Sequence, residues 1–174
     1  MITIITGRRA VGKTTFLLKM IKEIKYKESN PSGILTPAIY NANGDKVGFY
    51  ALNVADGEQW ELGRSDKKLA GPTYGPFSFS EKGFIKANEI LVKILTEGTE
   101  YVFLDEIGPL ELEKGYGFFP ILSLISNFDI NRNLYLVIRS ELIDEFIHRF
   151  ISEKEYRLVE ITHGNRDVFD LFKQ

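Results

Sequence analysis

Gly7-Arg8-Arg9-Ala10-Val11-Gly12-Lys13-Thr14, followed by Thr15, fits G-x-x-x-x-G-K-[ST], the loop that wraps a nucleotide's phosphates. Upstream, Ile2-Thr3-Ile4-Ile5 is a short apolar, β-branched run suited to a buried strand; downstream, Phe16, Leu17, Met20, Ile21 and Ile24 recur with helical spacing. The order strand, loop, helix brings backbone amides at a helix N-terminus to a polyanion, with partial positive charge already fixed in place. Gly7 and Gly12 admit conformations and backbone approaches that a Cβ obstructs. Lys13 adds a mobile full charge that in this motif reaches the β- and γ-phosphates, and the Thr14 hydroxyl is the expected Mg²⁺ ligand. The nucleotide-binding set is Gly7, Arg8, Arg9, Ala10, Val11, Gly12, Lys13, Thr14 and Thr15, with Arg8 and Arg9 also readable as solvated arginines at a loop tip.

A phosphate loop by itself leaves hydrolysis open. Tyr101-Val102-Phe103-Leu104 is an apolar run of strand type that ends in Asp105-Glu106, the hhhhDE form of a Walker B strand, whose aspartate belongs beside Mg²⁺. An acidic pair at the carboxyl end of a parallel strand falls where open α/β sheets hold their ligands. Glu106 is the candidate for positioning or polarising the attacking water, since a carboxylate near the γ-phosphate can accept that proton.

The 174 residues, 44% hydrophobic, are enough for one domain over residues 1–174 with a sizeable core. A formal net charge of -2 offers no broad basic surface, so nucleic acid is not an expected partner. The absence of cysteine excludes a disulfide framework and thiolate metal sites, and two histidines are too few for a His-rich one. The chain begins directly with a strand and carries no apolar run long enough to span a bilayer, so the expected setting is cytoplasmic, with no membrane partner. Nothing in the sequence indicates a protein partner.

Between these motifs the chain reads as alternating strands and helices. Ile34 to Tyr40 is an expected strand, Asn43-Gly44 a hairpin signal, Val47 to Val54 the return strand and Gln59 to Leu62 a third, forming an antiparallel insertion. Gly71 to Pro76 is an expected loop; Ser80 is the expected cap of a helix to Thr96 that buries Phe84, Ala87, Leu91, Ile94 and Leu95. Further on the expectations are a helix over Phe118 to Asn127, a buried strand over Leu134 to Ile138, a helix capped by Ser140 and running to Phe150, and a last strand over Arg157 to Ile161. Asn165 is the expected cap of a terminal helix. The alternation predicts a mostly parallel sheet covered by helices on both faces.

With these residues assembled, the chain resembles, nearly end to end, the P-loop nucleoside-triphosphatase family described from thermophiles and also found as a cancer-related nucleoside-triphosphatase in animals. Beyond the generic loop, Gly44-Asp45-Lys46-Val47-Gly48-Phe49 is similar to that family's G-x-R-x-G-F hairpin. Asp105-Glu106-Ile107-Gly108-Pro109-Leu110-Glu111-Leu112 is similar to its D-E-I-G-x-M-E-L stretch, and Thr162-His163-Gly164-Asn165-Arg166-Asp167 to its T-x-x-N-R. The resemblance implies a RecA-like P-loop core and Mg²⁺-dependent hydrolysis of the terminal phosphate from ATP, GTP and other nucleoside triphosphates, with loose base selectivity. It also places Arg166 at the base or ribose, where a surface salt bridge is an equal reading, and it singles out Glu111, which a solvated acidic loop explains as well. Two departures matter. Ala10 stands where the family often has glycine, a costly choice if that residue needs φ > 0, and Lys46 replaces the usual arginine.

Two rival functions share this fold class. A nucleotide or nucleoside kinase needs arginines around the donor phosphates and exclusion of water, and the late region offers only Arg139, Arg149 and Arg157, of which Arg139 follows a strand near the ligand edge. A nucleotide-gated regulatory subunit needs a docking patch, for which Gly115-Tyr116-Gly117-Phe118-Phe119 is the candidate, unless Phe118 and Phe119 pack under the sheet.

Overall fold

The computed structural model describes residues 1–129 and 131–165. In chain order the elements are β1 (Ile2–Thr6), α1 (Lys13–Tyr26), β2 (Ser32–Leu35), β3 (Ala38–Tyr40), β4 (Lys46–Asn53), β5 (Gln59–Arg64), β6 (Thr73–Tyr74), β7 (Phe77–Phe79), α2 (Glu81–Thr96), β8 (Tyr101–Ile107), α3 (Pro109–Leu112), α4 (Phe119–Ile125), β9 (Asn133–Ile138), a 3-10 turn (Ser140–Leu142), α5 (Ile143–Phe146), a π-helical turn (Ile147–Ile151) and β10 (Tyr156–Glu160). One sheet joins the strands in the order β10-β1-β9-β8-β2-β4-β5-β7-β6, with β3 added along β4. The first five run parallel; from β4 onward the pairing is antiparallel. The α/β class, the parallel central strands and the antiparallel insertion are therefore all present.

Strand alternation builds a core on each face. Ile2, Ile4, Val102, Leu104, Leu134 and Leu136 point to the side covered by α2, α4 and α5. Ile5, Phe103, Tyr135 and Val137 point to the opposite side, where Phe16, Leu17, Met20 and Ile21 of α1 meet them. Phe103 and Tyr135 stack there with centroids 4.8 Å apart. Burial on both faces explains why β1, β8 and β9 read as near-continuous apolar runs.

Several boundaries differ from the sequence reading. Ile34 to Tyr40 is two strands, because Pro37 has no N–H to give and interrupts the ladder at Thr36-Pro37, although the register with β4 continues unbroken across it. The segment expected as loop contains β6 and forms a small hairpin with β7 that adds to β5. Ser80 caps α2 as expected, its Oγ accepting from the Gly83 N–H at 3.1 Å. Ser140 caps nothing: its hydroxyl donates to Glu141, and the chain starts as a 3-10 turn and ends as a π turn around the four residues of α5. The terminal helix expected after Asn165 lies outside the described residues.

Candidate active site

The five parallel strands bring five pieces of chain to one carboxyl edge. β1 leads into the phosphate loop, β8 ends in Asp105 and Glu106, β9 is followed by Arg139, β2 by Thr36, and β10 by residues 161–165.

The loop turns through Gly7 at φ 142°, Ala10 at φ 62° and Gly12 at φ 102°. At Gly7 a Cβ would sit 2.4 Å from the Ile161 carbonyl oxygen, so the segment after β10 packs directly on the loop and admits only glycine. Gly12 caps α1 without a side chain, and the first turn holds no acid. The leading amides of a 14-residue helix are thus left open to an anion, unlike those of α2, which are occupied by Ser80 and followed by Glu81. Lys13 Nζ bends back to donate to the carbonyls of Gly7, at 2.9 Å, and Arg8, at 3.1 Å. Val11 is buried in the core on the α1 side, while Arg8, Arg9 and Thr15 are exposed.

Asp105 lies two strands from the loop, since β9 separates β8 from β1, yet the two are tied together. The Thr14 hydroxyl donates to Asp105 Oδ2 at 2.7 Å, and the Thr36 N–H donates to the same oxygen at 3.3 Å. Asp105 is only 2% exposed. That burial, reinforced by the charge of Glu106, pushes its pKa up to about 6 against the opposing pull of Thr14, Thr36 and Lys13. Leu104 pairs with Leu136 but Ile107 with Ile138, so β8 carries one residue more than β9 across the acidic pair. In a regular strand Asp105 and Glu106 would face opposite sides of the sheet; a bulge here re-aims them. Glu106 remains partly exposed, its Oε1 3.4 Å from Arg139 Nε.

The donor set fits Mg²⁺. A threonine hydroxyl and one buried carboxylate that lacks a full counter-charge are hard oxygen donors, and Mg²⁺ in phosphate sites takes one or two such ligands with the remainder from substrate and water. Among the described residues no group of three or more His, Cys, Asp or Glu side chains forms an all-protein cage.

The acidic loop beyond β8 is not a solvated surface. Glu111 is 3% exposed and accepts from the N–H groups of Gly108, at 2.9 Å, and Phe118, at 3.2 Å, so it braces both ends of the segment that leaves Glu106. A Cβ on Gly117 would lie 2.1 Å from Glu111 Oε1, which is why the brace closes around glycine. Burial pushes the Glu111 pKa up to about 7. The signal was present as Gly108-Pro109-Leu110-Glu111, a proline at the first helical turn with glutamate three residues after the cap. Phe118 of the candidate docking patch is buried, and Tyr116 and Phe119 pack partly against the same core. Arg149 is committed to Glu145 at 2.6 Å and to the Leu112 carbonyl at 3.0 Å, and Arg157 pairs in register with Thr3, well back from the carboxyl edge. Of the three late arginines, only Arg139 is at the site. Arg166 lies outside the described residues.

Comparison with known proteins agrees with this geometry. The family model described as NTPase matches residues 2–172. The Sulfurisphaera tokodaii protein named nucleoside-triphosphatase THEP1 is 29% identical over 169 residues, 95% of this chain and 88% of that one. The protein of the same name from Ignicoccus hospitalis is 30% identical over 148 residues, 85% and 81% of the respective chains. The crystal structure of THEP1 from Aquifex aeolicus superposes with a TM-score of 0.72 at 23% identity, covering 100% of both chains, and shows the same fold. Among the described residues no helix is long and apolar enough to cross a membrane. Phosphate loop, acidic strand and end-to-end match converge on one assignment: this chain belongs to the NTPase family of P-loop nucleoside-triphosphatases.

Proposed function

We propose that residues 1–174 act as one domain that hydrolyses the terminal phosphate of ATP, GTP and other nucleoside triphosphates, with Mg²⁺, to nucleoside diphosphate and phosphate. The observation that supports this reading is the 2.7 Å bond from Thr14 to the buried Asp105, which ties the phosphate-loop helix to the acidic strand although β1 and β8 are not neighbours. The amides at the start of α1 and the Lys13 ammonium take the β- and γ-phosphates. Thr14 and Asp105 hold Mg²⁺, which when bound neutralises charge developing on the phosphate oxygens. Glu106 orients a water for in-line attack and accepts its proton. Arg139, paired with Glu106 at 3.4 Å, is a charge sensor that can leave the carboxylate for the γ-phosphate. These groups address the phosphates, which all nucleoside triphosphates share, and this supports loose base selectivity. Arg166 is assigned to the base or ribose. The commitment of Arg149 to Glu145 and Leu112, and the position of Arg157 back from the edge, count against a kinase lid.

The test is phosphate release from ATP, GTP, CTP and UTP, with and without Mg²⁺. Release from all four at comparable rates, abolished by chelation, is the expected result; selective use of one base, or release that needs an added phosphate acceptor, contradicts it.

A further inference from the structure

The hairpin that follows β2 stands beyond the edge on which the site is built. β2 ends at Leu35, opposite Leu52 of β4, and the chain then continues along the same side of β4 as β3 until Tyr40 faces Lys46. The hairpin is rooted in the site itself, because Thr36, at its base, donates its N–H to Asp105. Lys46 opens the return strand, and its side chain folds back toward the sheet, with Nζ 5.6 Å from the centre of the Phe49 ring. Phe49 packs on Phe77 and Phe79 of β7, with ring centroids 5.7 and 6.0 Å away, at the margin of the core on that face. Phe49 pairs with Ala38, two residues past Thr36, so the ammonium lies over the base of the hairpin rather than its tip.

Among the described residues Lys46 makes no hydrogen bond and no ion pair, unlike the lysines and arginines that serve the fold, such as Lys86 with Glu58 or Arg64 with Asp66. The charges that act on it are those of the site: Glu106 and Asp105 favour its charged form, Arg9 and Arg139 oppose it. Lys46 as a residue is exposed, yet desolvation of its ammonium lowers its pKa. A lysine whose ammonium has only an aromatic ring at hand, in the field of two carboxylates and two arginines, has the position of a cation awaiting an anion.

We propose that Lys46 contacts the terminal phosphate of the bound nucleoside triphosphate from the side opposite Lys13, so that the chain supplies in cis a charge that other P-loop enzymes take from an arginine finger. This rests on the nucleotide site proposed above. Lys13 grips the phosphates from the loop, and Lys46 closes from the hairpin on the γ-phosphate, whose equatorial oxygens carry charge through the transfer while the bonding pair leaves with the diphosphate. A flexible lysine acts there as a point charge, which does not need the fixed fork of an arginine.

The experiment compares the parent with Lys46→Met, which keeps the packing on Phe49, and Lys46→Arg. Dissociation constants for ADP and for the non-hydrolysable triphosphate AMP-PNP are measured with Mg²⁺, alongside kcat for ATP. The expected result for Lys46→Met is AMP-PNP affinity weaker by about tenfold, ADP affinity within about twofold of the parent, and kcat lower by roughly 10²-fold, with Lys46→Arg recovering most of both losses. Equal change in the two affinities, or no change in either, overturns the proposal. A parent that binds AMP-PNP but releases no phosphate defeats the hydrolysis reading, while the affinity ratio still decides the role of Lys46; a parent that binds neither nucleotide overturns both.

Discussion

Ala10 holds φ 62°, where an L-residue pays for its Cβ, and the loop tolerates this because Gly7 and Gly12 carry the tighter turns. Ala10→Gly is predicted to stabilise the protein by up to about 1 kcal/mol, read as a higher urea midpoint, the relief of strain outweighing the added freedom of the unfolded chain. A fall in midpoint contradicts it. Glu111 sets a second expectation at this scale. Its pKa rises from 4.5 in the unfolded chain to about 7 in the fold, so the folded state holds the proton longer. The stability contributed by the protonated group is complete below about pH 4.5 and is lost as pH climbs through about 7, on the order of 3 kcal/mol in all. Asp105, also raised by burial, adds a slope of the same sign. Glu111→Gln sets an amide donor against an N–H donor, and is predicted to cost about 1–3 kcal/mol while flattening part of the decline in melting temperature between pH 5 and 7. An unchanged slope places its origin elsewhere. The strain at Ala10 was foreshadowed by the family's glycine there, but the burial of Glu111 could not be read from the sequence. Glu111 looks like any acid in a loop until tertiary packing buries it, although the capping spacing after Gly108-Pro109 marked a helix start.

Among the elements, those with strong local signals were legible and those made by their neighbours were not. α1 and α2 declare themselves through apolar spacing and, for α2, through Ser80. The two-residue β6 and three-residue β7 are strands only because β5 offers them an edge, and no periodicity survives over so few residues. The bulge in β8 is set by pairing with β9 and leaves no mark in an apolar run. The far end of α2 shows how distant residues finish an element. Arg132 donates to the carbonyls of Ile94, Leu95 and Thr99, each at 2.7 Å, and its guanidinium lies 4.7 Å from the Phe128 ring centre. It thus satisfies carbonyls that a helix C-terminus leaves unpaired. Arg132→Met is predicted to destabilise by about 2–4 kcal/mol, and Arg132→Lys to recover under half of the loss, since a single ammonium cannot match the planar fork. Chemical denaturation checks both, and a loss below about 0.5 kcal/mol for Arg132→Met would show that water replaces the cap.

Across the whole molecule, the site is a product of strand order. The phosphate loop and Asp105-Glu106 are about a hundred residues apart in sequence and belong to strands separated by β9, and that intervening strand delivers Arg139 between them. The sequence motifs named the parts, since phosphate chemistry requires those residue types locally. They could not show that Arg139 faces Glu106, or that the hairpin after Thr36 brings Lys46 toward the same carboxylates, because both depend on register across the sheet. The proposed reaction makes Glu106 responsible for the water. The direct test is Mg²⁺-dependent multiple-turnover phosphate release from ATP by the parent and by Glu106→Gln, with ATP affinity measured on both. The account predicts a loss of roughly 10²-fold or more in kcat with affinity within about threefold of the parent. Turnover that survives the substitution, or an equal loss of nucleotide binding, would contradict it.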